Sequence, residues 1–125
     1  MEFDNHFWLA IMHTIVVAPV FLFIGLKRAQ TPHWMYLALI IIGIIIFIYH
    51  GIKIIIRIGI QSGYIWINSL HLLLVAPLLI YIGYHKKYTP RFAYELLLML
   101  GFASGGYHLL TIVKRLDSYS ENTLF

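Results

Sequence analysis

The chain has no cysteine among its 125 residues, which excludes disulfides, thiolate metal sites and cysteine nucleophiles. It is short of charge: 11% of residues are Asp, Glu, Lys or Arg, against about 25% in an average soluble domain. Acids are the scarcest, five against nine bases, and Glu95 alone falls within an apolar run. No HxxxH histidine pair occurs, so a di-iron oxidase site has neither its carboxylates nor its histidines. Ser62, Ser69 and Ser104 lie in no nucleophile motif, and Gly105-Gly106 sits inside an apolar run rather than in a phosphate-binding loop. The sequence thus carries no hydrolase, kinase or di-iron motif, and no catalytic activity is predicted from it.

What the sequence does contain is apolar surface. Hydrophobic residues make up 61% of the chain, against roughly 45–50% in soluble domains, and one domain of this size cannot hide that much from water. Lipid is the solvent that fits, so the bilayer is the first expected partner. The Lys and Arg residues stand at the ends of apolar runs, where they anchor helices at a membrane interface; nucleic acid is not an expected partner. The opening "MEFDNHFW" is acidic where a signal peptide is basic, so the first apolar run is expected to be a retained helix.

About 20 mostly apolar residues cross a bilayer as a helix. Four stretches qualify: Phe7–Leu26, Trp34–Ile56, Tyr64–Tyr84 and Phe92–Val113. The predicted fold class is an all-α integral membrane protein of four transmembrane helices. Short connections, "KRAQTPH", "IGIQSG" and "HKKYTPR", make sequential helices antiparallel neighbours. Thr31-Pro32 and Thr89-Pro90 read as an N-cap followed by proline at the first helical position. The final "LDSYSENTLF" is polar and short, is expected to be mobile, and has no cysteine-based lipidation box.

Sliding the chain by 58 residues lays its second half on its first without a gap, and 16 of the 50 positions from Trp8 to Arg57 then match. Composition alone would match roughly a tenth. The matches include Trp8/Trp66, His13/His71, Pro19/Pro77, Tyr36/Tyr94, His50/His108 and Arg57/Arg115. We read this as two tandem-duplicated hairpins, residues 1–60 and 61–125, forming one domain with a pseudo-twofold axis along the membrane normal. The loops 27–33 and 85–91 carry five basic residues (Lys27, Arg28, Lys86, Lys87, Arg91) against four on the other side (Lys53, Arg57, Lys114, Arg115). That bias predicts cytoplasmic loops.

At 100° per residue, Tyr36, Leu39, Gly43, Ile54 and Arg57 fall within about 40° of His50 on its helix. Each is matched in the fourth span by Tyr94, Leu97, Gly101, Ile112 and Arg115, around His108. Helix packing accounts for the small and aliphatic members. It accounts poorly for the histidines, because an ionisable residue within a span is costly and marks a site by default. His50 and His108 lie 18 residues beyond Pro32 and Pro90, or about 27 Å along a helix. His13 and His71 each follow an interfacial tryptophan by five residues. All four are expected in one layer, opposite the hairpin loops, with Tyr49 and Tyr107 as supporting hydrogen-bond donors.

Imidazole suits transition metals and haem iron, and no thiolate or carboxylate competes at that depth. The expected ligand is a transition metal ion, held by His13, His50, His71 and His108, or a single haem b on a diagonal pair such as His50 and His108. Four-helix membrane cytochromes of the b561 type are similar in carrying four histidines on four core helices. Their ligands form two haem sites on opposite sides of the membrane, and the single layer here argues against that arrangement. Two alternatives stand beside ligand binding. One is a small proton or ion channel or transporter, using imidazoles as relays with Lys53, Arg57 and Arg115 near its mouth, unless these simply snorkel. The other is a structural scaffold or accessory subunit whose histidines knit the helices. A homo-oligomer or a partner membrane subunit fits either. His6, His33 and His85 have no counterpart in the other copy and read as plain interfacial residues.

Overall fold

The computed structural model describes residues 3–63 and 65–123. Tyr64, the expected start of the third span, and the last two residues of the tail lie outside the described residues. Every regular element among those described is helical. Four helices are long and apolar enough to cross a membrane: α1 (Asn5–Gln30), α2 (His33–Gly59), α3 (Ile65–Tyr88) and α4 (Arg91–Thr123). The protein buries only 11–33% of the most apolar stretch of each. Such exposure far exceeds what a water-soluble monomer carries.

The polar tail is helical: α4 continues without a break to Thr123, because nothing between Val113 and Thr123 is a glycine or proline that would stop it. One expectation about helix ends is corrected, for the threonines do not cap. Pro32 itself occupies the N-cap position of α2, with φ −54° and ψ 138°. Thr31 Oγ1 is buried without a partner. Thr89 Oγ1 instead donates backwards, to the carbonyls of Lys86 at 2.6 Å and Ile82 at 3.3 Å. The chain enters each loop through a 3-10 turn, Arg28–Gln30 and Lys86–Tyr88, whose first residue has positive φ (51° and 53°). That geometry turns the carbonyls of Arg28 and Lys86 back towards the threonine amides, which donate to them at 3.0 and 3.1 Å.

The two mid-span prolines explain the spacing of "HTIVVAP" and "HLLLVAP". Proline has no amide proton and its ring collides with the carbonyl four residues back, so an unmodified α-helix cannot pass through it undisturbed. Here each helix widens to one π turn just before the proline, at His13–Val17 and at His71–Val75. The amide of Ala18 reaches five residues back to the His13 carbonyl, and that of Ala76 to the His71 carbonyl. The histidine thus opens the widened turn. Turns of this kind are frequent at functional sites.

The chain forms two compact units, Lys27–Tyr94 and Met1–Leu26 with Glu95–Phe125. Each pairs helices from different halves of the sequence: α2 with α3, and α1 with α4. In the α2–α3 unit the helices run antiparallel, Gly43 lying against Ala76 and Leu79 while Gly83 lies against Tyr36 and Ile40. A Cβ on Gly83 would stand 2.6 Å from the Tyr36 carbonyl oxygen, so only glycine permits this approach. The loop end of the same unit is closed by Tyr36 and Tyr94, each 2% exposed. Their hydroxyls are 2.8 Å apart, and each also reaches a loop carbonyl, Arg28 at 3.0 Å and Lys86 at 2.8 Å. Two protons cannot serve three contacts. Either hydroxyl can donate to the other, and the one that accepts then donates to its own loop carbonyl, Arg28 for Tyr36 or Lys86 for Tyr94.

In the α1–α4 unit the antiparallel register continues from Gly25 against Leu98, through Gly101 against Leu22, to Gly105 against Ala18. Beyond the membrane-length stretch, Asp4 caps α1 by accepting from the Phe7 amide at 3.0 Å and pairs with Arg115 at 2.8 Å. Arg115, read from sequence as a snorkelling charge, is therefore partnered by an acid.

Gly83→Ala should destabilise the protein by about 1–3 kcal/mol in reversible detergent unfolding, the usual cost of overpacking, whereas Gly59→Ala, with open space at its Cβ, should be neutral or slightly stabilising. The Phe7 amide, and then Arg115, hold the Asp4 carboxyl below the usual carboxylate range. A carboxyl lowered in the folded state stabilises it above the ordinary range and loses that contribution as pH falls through the lowered value. Acid unfolding of Asp4→Asn should accordingly show a shallower loss below about pH 4 than the parent.

Candidate histidine site

The structure brings the four histidines together as two pairs. In the α1–α4 unit the rings of His13 and His108 lie 4.3 Å apart between centroids, tilted by 31°. In the α2–α3 unit His50 and His71 lie 4.4 Å apart at 17°. Each pair joins the first residue of a π turn to a histidine on the facing helix. Among the described residues no group of three or more His, Asp or Glu side chains is placed to hold one metal ion, so the pair is the local arrangement from which chemistry has to be argued.

Ring orientation follows from local hydrogen bonding. His13 Nδ1 lies 2.8 Å from the Leu9 carbonyl and His71 Nδ1 2.7 Å from the Ile67 carbonyl, each one turn back on its own helix. His50 Nδ1 lies 2.8 Å from Asn68 Oδ1, across the helix pair. A carbonyl oxygen only accepts, so Nδ1 carries the proton in all three and Nε2 carries the ring lone pair. This is the tautomer that metal-ligating histidines adopt when a backbone or side-chain oxygen supports them.

Asn68 was not legible as a site residue. It is 4% exposed, and a buried amide in an apolar helix needs hydrogen-bond partners. The duplication pointed away from it, because the matching position in the first half is Ala10, equally buried. The signal was available as a polar residue three positions before His71 in an otherwise apolar run. The two pairs therefore differ: one histidine of the α2–α3 pair is oriented by a side-chain amide, while Ala10 offers no such acceptor to the other pair.

Tyr49 and Tyr107 sit edge-on to the adjacent histidine rings, at 5.1 and 5.2 Å, and both are more than half exposed. Neither hydroxyl bonds to a histidine among the described residues. Lys53 Nζ stands over the Tyr49 ring, 5.6 Å from its centroid, as a cation held along an apolar surface. No protein-family model, curated protein or solved structure matches the chain.

Asn68→Ala imposes the residue of the other half and leaves His50 Nδ1–H without its acceptor. Loss of about 1 kcal/mol is expected from removing this hydrogen bond, together with a changed tautomer signature for His50 in nitrogen NMR. An unchanged His50 spectrum would show that Asn68 does not orient the ring.

Proposed function

We propose that this is an integral membrane protein that binds a transition metal ion, or a haem, through its paired histidines. The single observation carrying this reading is that His13, His50 and His71 each have their Nδ1 proton directed at an oxygen, which puts the lone pair on Nε2. The four imidazoles are half-buried on helices of membrane-spanning length, where an ionisable side chain is costly without a purpose, and borderline-soft nitrogen donors suit Zn, Cu, Ni or Fe.

The spacing within a pair bears on which ligand it takes. With metal–nitrogen bonds of about 2.0 Å, imidazoles on opposite faces of an iron have ring centroids about 6 Å apart. The observed 4.3 and 4.4 Å suit neighbouring positions on one ion better, after one ring turns about its χ2 bond to bring the two lone pairs together. A metal ion at either pair is thus favoured over a haem held by one pair alone. Water or an external ligand completes the coordination.

In the same reading, the chain arose by tandem duplication of a helical hairpin and keeps both copies in one orientation, with loops 27–33 and 85–91 in the cytoplasm. Recurrence of the π turn and of the positive-φ loop residue 58 positions later supports the duplication. The five basic residues of the loops support the orientation.

The test is metal analysis and an optical spectrum on protein purified in detergent, beside His13→Ala/His108→Ala and His50→Ala/His71→Ala. Bound metal should fall in at least one double variant and vanish when all four are replaced, and a Soret band would identify haem in place of a metal ion. A colourless, metal-free parent that does not take up Zn, Cu or Ni would overturn the ligand reading, leaving proton conduction or helix packing to account for the histidines.

A further inference from the structure

We propose that the α2–α3 unit seats one acyl chain of an anionic phospholipid, with the headgroup phosphate held at the loop end by Lys86 and Lys87. A groove of about 430 Å³ runs along this unit, lined by Phe47, Pro77, Ile80, Tyr81, Tyr84 and His85. From Pro77 to His85 it follows α3 for about 12 Å, most of the roughly 15 Å of hydrocarbon in one leaflet. Its walls are apolar until the mouth. There the His85 ring is flanked by those of Tyr81 and Tyr84, at 4.2 and 5.2 Å, and its Nδ1–H donates to the Tyr81 carbonyl at 2.9 Å.

Charge identifies the occupant. The two loops carry Lys27, Arg28, Lys86, Lys87 and Arg91, and the nearest acid in sequence is Glu95. The 3-10 turns of the two loops pack together, so Lys27 and Arg28 add to the positive field around Lys86 and Lys87. Basic pockets at this depth bind anionic lipid headgroups. Lys86 has φ 53° and ψ −131°, a region that favours glycine, so a lysine stays there despite backbone strain. Arg28, at the matching position of the other loop, has a similar positive φ of 51°. The matching positions on the other two helices lack the wall: Phe47, Tyr81, Tyr84 and His85 correspond to Gly105, Phe23, Leu26 and Lys27. One lipid per chain follows.

This proposal rests on the membrane reading but not on the histidine pairs. The protein, purified in detergent, is offered equimolar dioleoylphosphatidylglycerol and dioleoylphosphatidylcholine, and the retained lipid is counted by native mass spectrometry. One phosphatidylglycerol should be retained in preference by about tenfold, falling about fivefold for each of Lys86→Gly and Lys87→Gln. Lys86→Gly should at the same time raise the melting temperature by relieving the backbone, which a purely structural lysine would not combine with lost lipid selection. Phe47→Ala/Tyr84→Ala should weaken retention, and Lys53→Gln, at the opposite end of the unit, should leave it unchanged. Equal retention of both lipids, an equal effect of Lys53→Gln, or retention of free glycerol phosphate as strong as that of the lipid would overturn the site. A chain that alkaline extraction releases from membranes would overturn the membrane reading itself.

Discussion

Two missing amide protons, those of Pro19 and Pro77, constrain much of what is distinctive here. In an apolar surrounding every backbone carbonyl has to find a donor within the protein, and a proline in mid-span removes one while crowding another. The π turns at His13–Val17 and His71–Val75 are the backbone's answer. They shift hydrogen bonding by one residue, so that the histidine carbonyl accepts the amide of the alanine before the proline. They also set where the histidine side chain leaves the helix, with its Nδ1–H directed at a carbonyl one turn back. A feature that looks like a ligand motif in the sequence is thus first a backbone device. The side-chain chemistry is built on it.

In the α2–α3 unit the two ends have different tasks. Gly83 and Gly43 let α2 and α3 approach closely, and the Tyr36–Tyr94 hydrogen bonds tie the loop end with buried groups that have partners. The burial that stabilises α2 is concentrated there, at Met35, Tyr36, Leu39 and Gly43. Towards His50 the helix has no fully buried residue. A tightly packed end that fixes register, with a less crowded end carrying imidazoles and a buried amide, is a physical arrangement in which side chains can turn to meet a ligand without disturbing the helix pairing.

The halves of the sequence are alike, yet the pairs they build are not. A single substitution of an amide for a methyl group, Asn68 against Ala10, gives His50 an acceptor across the helix interface. At the outer end the α1–α4 unit has the Asp4–Arg115 ion pair, half exposed and screened by water. Repetition sets the spacing of the imidazoles, and the departures from repetition set their individual environments.

Much of this was legible from residue types alone. Long apolar runs with charges near their ends determine four membrane-length helices, because a single segment satisfies its own backbone hydrogen bonds in lipid only as a helix. Recurrence of His, Pro, Gly and Tyr at one spacing singled out His13, His50, His71, His108, Tyr49 and Tyr107, since rare residues do not recur by composition. The tertiary structure alone decided which helices pair, and hence that His13 meets His108 and His50 meets His71. In apolar helices many faces are equally greasy, and the choice falls to backbone approach at glycines such as Gly83 and Gly25, which periodicity cannot rank. The same holds for Asn68 and for the π turns: an amide's partner and a proline's local remedy depend on what stands opposite in space, not on neighbours in the chain.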